Sequence, residues 1–147
     1  MQIVNSIEIA APRDRVFELL ADIPNAAENI SAIETIEMLS DGPVGVGTRW
    51  RELRKMMGKE ATEEMWIVDF NPAASYSVEA ESHGMQYRTD IVFEATGENS
   101  TLVTQTFAGK PVTLAAKLFT PIGWLFKGPT KKALQKDLVE LKQKLES

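Results

Sequence analysis

Four short runs in the middle of this chain alternate polar and apolar residues, and a long amphipathic helix pattern closes it. Tyr76, Val78, Ala80 and Ser82 fall on one face of a strand, and Ser77, Glu79, Glu81 and His83 on the other. The next run repeats the pattern, with Tyr87, Thr89, Ile91, Phe93 and Ala95 opposed to Gln86, Arg88, Asp90 and Glu94. Side chains alternate across a strand, so each run describes a sheet with one wet and one covered face. The covered face carries two Tyr hydroxyls and a Thr. A curved sheet with such a face wraps a cavity more readily than a dense core.

The rest of the order follows from local signals. Gln2 to Ala10 reads as a strand, with Ile3, Ile7 and Ile9 on one face and Asn5 between them. Pro12 suits the first turn of a helix, where its missing N–H costs nothing. Asp14 lies in that turn and favours the positive helix end. Val16, Leu19, Leu20 and Ile23 form the buried stripe. Asp22-Ile23-Pro24-Asn25 breaks the helix, and a shorter helix is predicted over Ala26 to Ile30. Strands are predicted at Ile33–Leu39, Thr48–Lys55, Glu60–Phe70, 75–83, 86–96 and 100–108. Glycine, proline and asparagine turns separate them, as in an antiparallel meander. Val112 to Phe119 looks like a separate helical piece. From Lys131 to Glu146 the leucines Leu134, Leu138, Leu141 and Leu145 recur at helical spacing, over about 24 Å of helix.

Composition narrows the function classes. The 147 residues are 44% hydrophobic and 25% charged, which fits one globular domain spanning 1–147. No apolar run approaches the roughly 20 residues of a membrane span, and no basic, apolar leader is visible. Cysteine is absent, which removes thiolate catalysis and fits a reducing compartment, so a cytoplasmic protein is expected. The net charge of −5 argues against nucleic-acid binding. A single histidine is too few for a His/Cys zinc cluster. Gly42, Gly45 and Gly47 precede no helix starting Lys-Ser/Thr, so they are not a phosphate loop. No metal and no cofactor is expected.

The chain resembles the START/Bet v 1-like (SRPBCC) superfamily, and within it the polyketide cyclase/dehydrase branch. The segments that carry the resemblance are Ile9-Ala10-Ala11-Pro12 with Val16-Phe17, Asp22-Ile23-Pro24-Asn25, Gly47-Thr48-Arg49-Trp50, Val68-Asp69-Phe70-Asn71-Pro72, and Leu138 to Glu146. Their order and spacing are specific where no single one is. The resemblance implies an α+β helix-grip fold: a curved antiparallel sheet around a long C-terminal helix, with a cavity between them for an apolar or amphipathic small molecule. It also implies that the glycine segment 42–47 is a loop over the cavity mouth. It implies no single reaction, because the fold serves carriers, cyclases and cochaperone domains alike.

Candidate site residues follow from strand phase. If Trp50 points inward, Glu52 and Arg54 come with it, placing an ion pair at the cavity wall. The opposite phase would bury Arg49, Arg51 and Lys55. The ligand-binding candidates are Trp50, Glu52, Trp66, Tyr76, Val78, Tyr87, Thr89, Ile91, Phe93, Phe119 and Trp124. Of Glu63 and Glu64, only one can turn inward. The favoured expectation leaves both wet, since buried acids are rare unless paired. An inward carboxylate would have a raised pKa and could act as a general acid or base. His83 is expected on the solvent face at the turn before Gly84. Phe119, Ile122, Trp124, Leu125 and Phe126 form the densest apolar cluster. Helix packing is its first reading, and a gate at the cavity mouth, opposite the Gly42–Gly47 loop, is the sharper one.

The function expected is binding or carriage of a small hydrophobic or amphipathic molecule, without stable membrane insertion. The alternative is a cyclase or dehydratase on an aromatic or polyketide-like substrate, with acid–base groups drawn from Glu52, Glu64, Tyr76 and Tyr87. A third possibility is a cochaperone-like interaction module.

Overall fold

The computed structural model describes residues 2–56, 58–118 and 127–147. Strand β1 (Gln2–Ile9) is followed by helix α1 (Arg13–Leu20), a 3₁₀ turn (Ile23–Asn25) and helix α2 (Ala26–Asn29). Six strands come next: β2 (Ile33–Met38), β3 (Arg49–Met56), β4 (Lys59–Asn71), β5 (Ser75–Ser82), β6 (Met85–Gly97) and β7 (Ser100–Pro111). Helix α3 (Leu114–Leu118) and helix α4 (Lys127–Glu146) complete the order. All seven strands form one curved antiparallel sheet, ordered β1-β7-β6-β5-β4-β3-β2. The chain therefore crosses from one sheet edge to the other through α1 and α2, then returns as a meander. This is the helix-grip fold.

Helix α4 begins four residues earlier than the leucine repeat predicts. It buries Leu134, Asp137, Leu138, Leu141 and Leu145. Polar contacts fix it to both margins of the sheet. On the β1 side, Glu146 accepts the Ala10 N–H at 2.8 Å and Lys142 donates to the Glu8 carbonyl at 2.7 Å. On the other side, the Glu140 carboxylate accepts the Ser31 hydroxyl at 2.6 Å and the Ser31 N–H at 2.9 Å.

The main core lies where α1 crosses the sheet. Phe17 sits edge-on to three rings, with centroids 5.4 Å from Phe70, 5.9 Å from Tyr76 and 5.1 Å from Phe93. Edge-on packing matches the ring quadrupoles. The Tyr76 hydroxyl, inside this apolar cluster, donates to the Leu20 carbonyl at 2.9 Å. Without that bond its burial would be costly. A second cluster holds Ile23, Trp50 and Ile67.

The β4–β5 register shifts between Ile67 and Asp69. Before the shift, Glu63, Met65 and Ile67 face the concave side; after it, Phe70 does. The irregularity changes the strand's phase, so plain alternation cannot be carried through it.

Candidate functional site

The concave face of the sheet, α1, α2 and α4 enclose a cavity of about 650 Å³. Leu19, Leu20, Ile30, Ile33, Val78, Ile91, Leu138 and Leu141 give it largely apolar walls. Volumes and linings of this kind accommodate small organic ligands. Pro111, Ala115, Ala116 and Thr130 also border it.

The inward phase of β3 brings Trp50, Glu52 and Arg54 to the cavity together. Arg54 Nε donates to Glu52 at 3.1 Å, and Arg54 Nη1 donates to Asp137 Oδ2 at 2.7 Å. The guanidinium thus bridges strand to helix. Glu52 and Asp137 are 7% and 5% exposed, so a paired cation is what permits their burial. Burial pushes the Asp137 carboxyl above its ordinary range, although Arg54 pulls it down. Burial opposes the Arg54 charge, but Asp137 and Glu52 outweigh it and raise its pKa. Asp137 Oδ1, Gln105 Oε1 and Trp50 Nε1 are buried without a hydrogen-bond partner among the described residues. All three side chains border the cavity.

Glu63 turns inward and lines the cavity, while Glu64 turns outward onto Arg49 at 2.7 Å. This overturns the expectation that both stay wet. Glu63 stands directly across from Glu52 in the β3–β4 ladder. Burial first, and the Glu52 charge second, raise the Glu63 pKa. Glu64 therefore drops out of the acid–base candidates, and Glu63 takes its place. Burial and the Glu63 charge likewise raise the Tyr87 hydroxyl. The Tyr87 ring stacks on Phe107 at 5.5 Å. Gly109 lies so close that a Cβ there would come within 3.0 Å of the ring.

Tyr76, Val78, Tyr87, Thr89 and Ile91 line the cavity along with Trp50 and Glu52. Two other candidates lie elsewhere among the described residues. Phe93 is on the inward face but spent in the core, under Phe17. Trp66 lies on the opposite face from Met65, with the Arg49 guanidinium 4.6 Å above its ring. One residue along a strand reverses the face, and its aromatic character gave no guide to that. Phe119 and Trp124, with the rest of the 119–126 elbow, lie outside the described residues. No residue of the Gly42–Gly47 loop borders the cavity; Val44 packs instead against the cluster of Ile23, Trp50 and Ile67.

His83 is exposed, but it stands at the cavity's edge and not on a solvent strand face. Its φ is 51°, in the turn between β5 and β6, where strand alternation no longer applies. Its Nδ1 pairs with the Ser82 hydroxyl at 2.7 Å. Asp137 was missed in the sequence. The available signal was its place three residues after Leu134 and four before Leu141, on the buried stripe of α4.

A helix-grip sheet around a lined internal cavity defines the class. The chain belongs to the polyketide cyclase/dehydrase and lipid transport family, whose profile matches residues 1–146. No curated protein sequence matches it. Similar solved structures include a protein from Thermus thermophilus, with 19% identity, a TM-score of 0.79, and coverage of 99% of this chain and 97% of that one. A START superfamily protein from Mycobacterium smegmatis has 13% identity and a TM-score of 0.78, covering 99% and 97%. The Zhui aromatase/cyclase from a Streptomyces species has 16% identity and a TM-score of 0.79, covering 99% and 93%. At these identities the likeness is one of fold. Family and fold fit a ligand-binding or cyclase-type function. No helix among the described residues is long and apolar enough to cross a membrane.

Proposed function

We propose that this protein binds and carries a small apolar or amphipathic molecule in the cavity between sheet and C-terminal helix. The observation that carries the reading is a space of about 650 Å³ with mostly apolar walls and one charged end. Such a space gains from burying an apolar body, at roughly 25 cal/mol per Å². The charged end orients the ligand. Titration with N-phenyl-1-naphthylamine, a neutral apolar fluorophore, tests this. Saturable binding with enhanced emission is expected, and Val78→Trp, which fills the cavity from β5, abolishes it. Unchanged binding in that variant refutes the reading. Native mass spectrometry of protein from its own host then identifies the cargo.

Glu63 favours a second reading, a cyclase or dehydratase acting on an aromatic or polyketide-like substrate. A carboxyl with a raised pKa beside the Tyr87 ring wall suits general acid–base work. Glu63→Gln would then abolish turnover while ligand still binds. A carrier has no turnover for that variant to abolish.

A further inference from the structure

The charged end of the cavity is unbalanced in both charge and hydrogen bonding. Glu52, Glu63 and Asp137 border it against one guanidinium, Arg54, and no lysine lies among the described lining residues. Arg54 is already committed to Glu52 and Asp137. Asp137 is 5% exposed, and its Oδ1 has no partner among the described residues. Gln105 Oε1 on β7, in a half-buried side chain, likewise has no partner among the described residues. His83 is exposed at the rim, its Nδ1 engaged with Ser82. Trp50 Nε1 is the one fully buried side-chain donor without a partner among the described residues. Even with Glu63 protonated, Glu52 and Asp137 outnumber Arg54. A buried acceptor without a donor is costly. What Asp137 Oδ1 lacks is a donor, and what the site lacks is positive charge.

We infer that the cavity selects a ligand whose polar head is a protonated amine on an apolar body, seated against Asp137 and Glu63. The inference rests on the ligand-binding reading above and narrows it. An ammonium head supplies a donor to Asp137 Oδ1 and offsets the surplus negative charge. A carboxylate head adds one more anion to a pocket whose guanidinium is doubly engaged. Leu134, Leu138 and Leu141 of α4, facing Val78 and Ile91 of the sheet, receive the apolar body. A neighbouring charge in a partly buried site shifts an equilibrium by roughly ten- to thousandfold.

Decylamine, 1-decanol and decanoic acid share one tail and differ in the head. Each is titrated as a competitor of N-phenyl-1-naphthylamine at pH 7, in about 0.15 M salt so that exposed charges are screened. Decylamine is expected to bind at least about tenfold tighter than decanol, and decanoic acid more weakly than decanol. Asp137→Asn and Glu63→Gln, each shown to be folded by circular dichroism, should shrink the amine-to-alcohol ratio. Glu63→Gln leaves the Arg54 bridge intact, so it reports charge even if Asp137→Asn fails to fold. Decanoic acid matching decylamine, or a ratio unchanged in Glu63→Gln, overturns the inference. Decanol binding without any amine advantage overturns it too, and leaves the ligand-binding reading standing. Failure of the fluorophore and all three probes overturns both.

Discussion

Replacing Arg54 by methionine keeps most of the side-chain volume and removes the cation that holds Glu52 and Asp137. Both carboxylates are at least nine-tenths buried, and the Arg54 side chain is 17% exposed. Removing one partner of a buried ion pair costs about 3–5 kcal/mol, because the remaining charge is left uncompensated. Here the cavity gives the carboxylates some access to water, so the low end, about 3 kcal/mol, is expected. For a chain of this size that is a fall in Tm of roughly 6–12 °C. The cost must also depend on pH. Asp137 already has a raised pKa in the folded protein, and loss of Arg54 raises it further. The folded state then holds its proton more tightly than the unfolded chain does, so stability falls as pH rises above the ordinary Asp value of 3.8. The Arg54→Met deficit should therefore be largest at neutral pH and narrow as pH falls toward 4. Urea unfolding followed by circular dichroism at several pH values measures it. The triple change Arg54→Met, Glu52→Gln, Asp137→Asn should recover most of the loss, since the uncompensated charge goes with it. A single variant within 0.5 kcal/mol of the parent, or a deficit that grows at acid pH, refutes the reasoning.

Glu63→Gln should stabilise the protein at pH 7 by roughly 0.5–1 kcal/mol. Its raised folded-state pKa means the ionised form is penalised on folding, so the gain should vanish below the ordinary Glu value of 4.5; denaturant midpoints at pH 4 and 7 check both. Tyr76→Phe removes the donor to the Leu20 carbonyl and should cost about 1–1.5 kcal/mol without changing the denaturant slope. Gly84→Ala should cost roughly 1–3 kcal/mol. Gly84 has a φ of 76°, and a Cβ there would clash with Thr113 Oγ1 just ahead of α3. Thermal unfolding measures the loss.

How much of this was legible before the structure differs from residue to residue. Alternation in the 76–93 region fixes which face of β5 and β6 is covered, because the pleat has a strict period of two. Tyr76, Val78, Tyr87, Thr89 and Ile91 are at the cavity for that reason. The same arithmetic brings Glu52 and Arg54 inward behind Trp50 and forbids Glu63 and Glu64 from sharing a face. The leucine repeat likewise sets which side of α4 is buried.

Tertiary structure decided what period alone leaves open. Phase does not choose between Glu63 and Glu64; the β3–β4 register does, by setting Glu63 opposite Glu52. Nor does it separate a wall from a core position. Phe93 shares a face with Ile91, yet α1 crosses above it and closes that end of the sheet around Phe17. The bridge from Arg54 to Asp137 joins residues 83 positions apart. Strand β3 and helix α4 each have their own local pattern, and neither pattern encodes the other. Only wrapping the sheet around the helix brings a guanidinium and a carboxylate to one end of one cavity, because contact across the fold depends on how the elements pack and not on their periodicity.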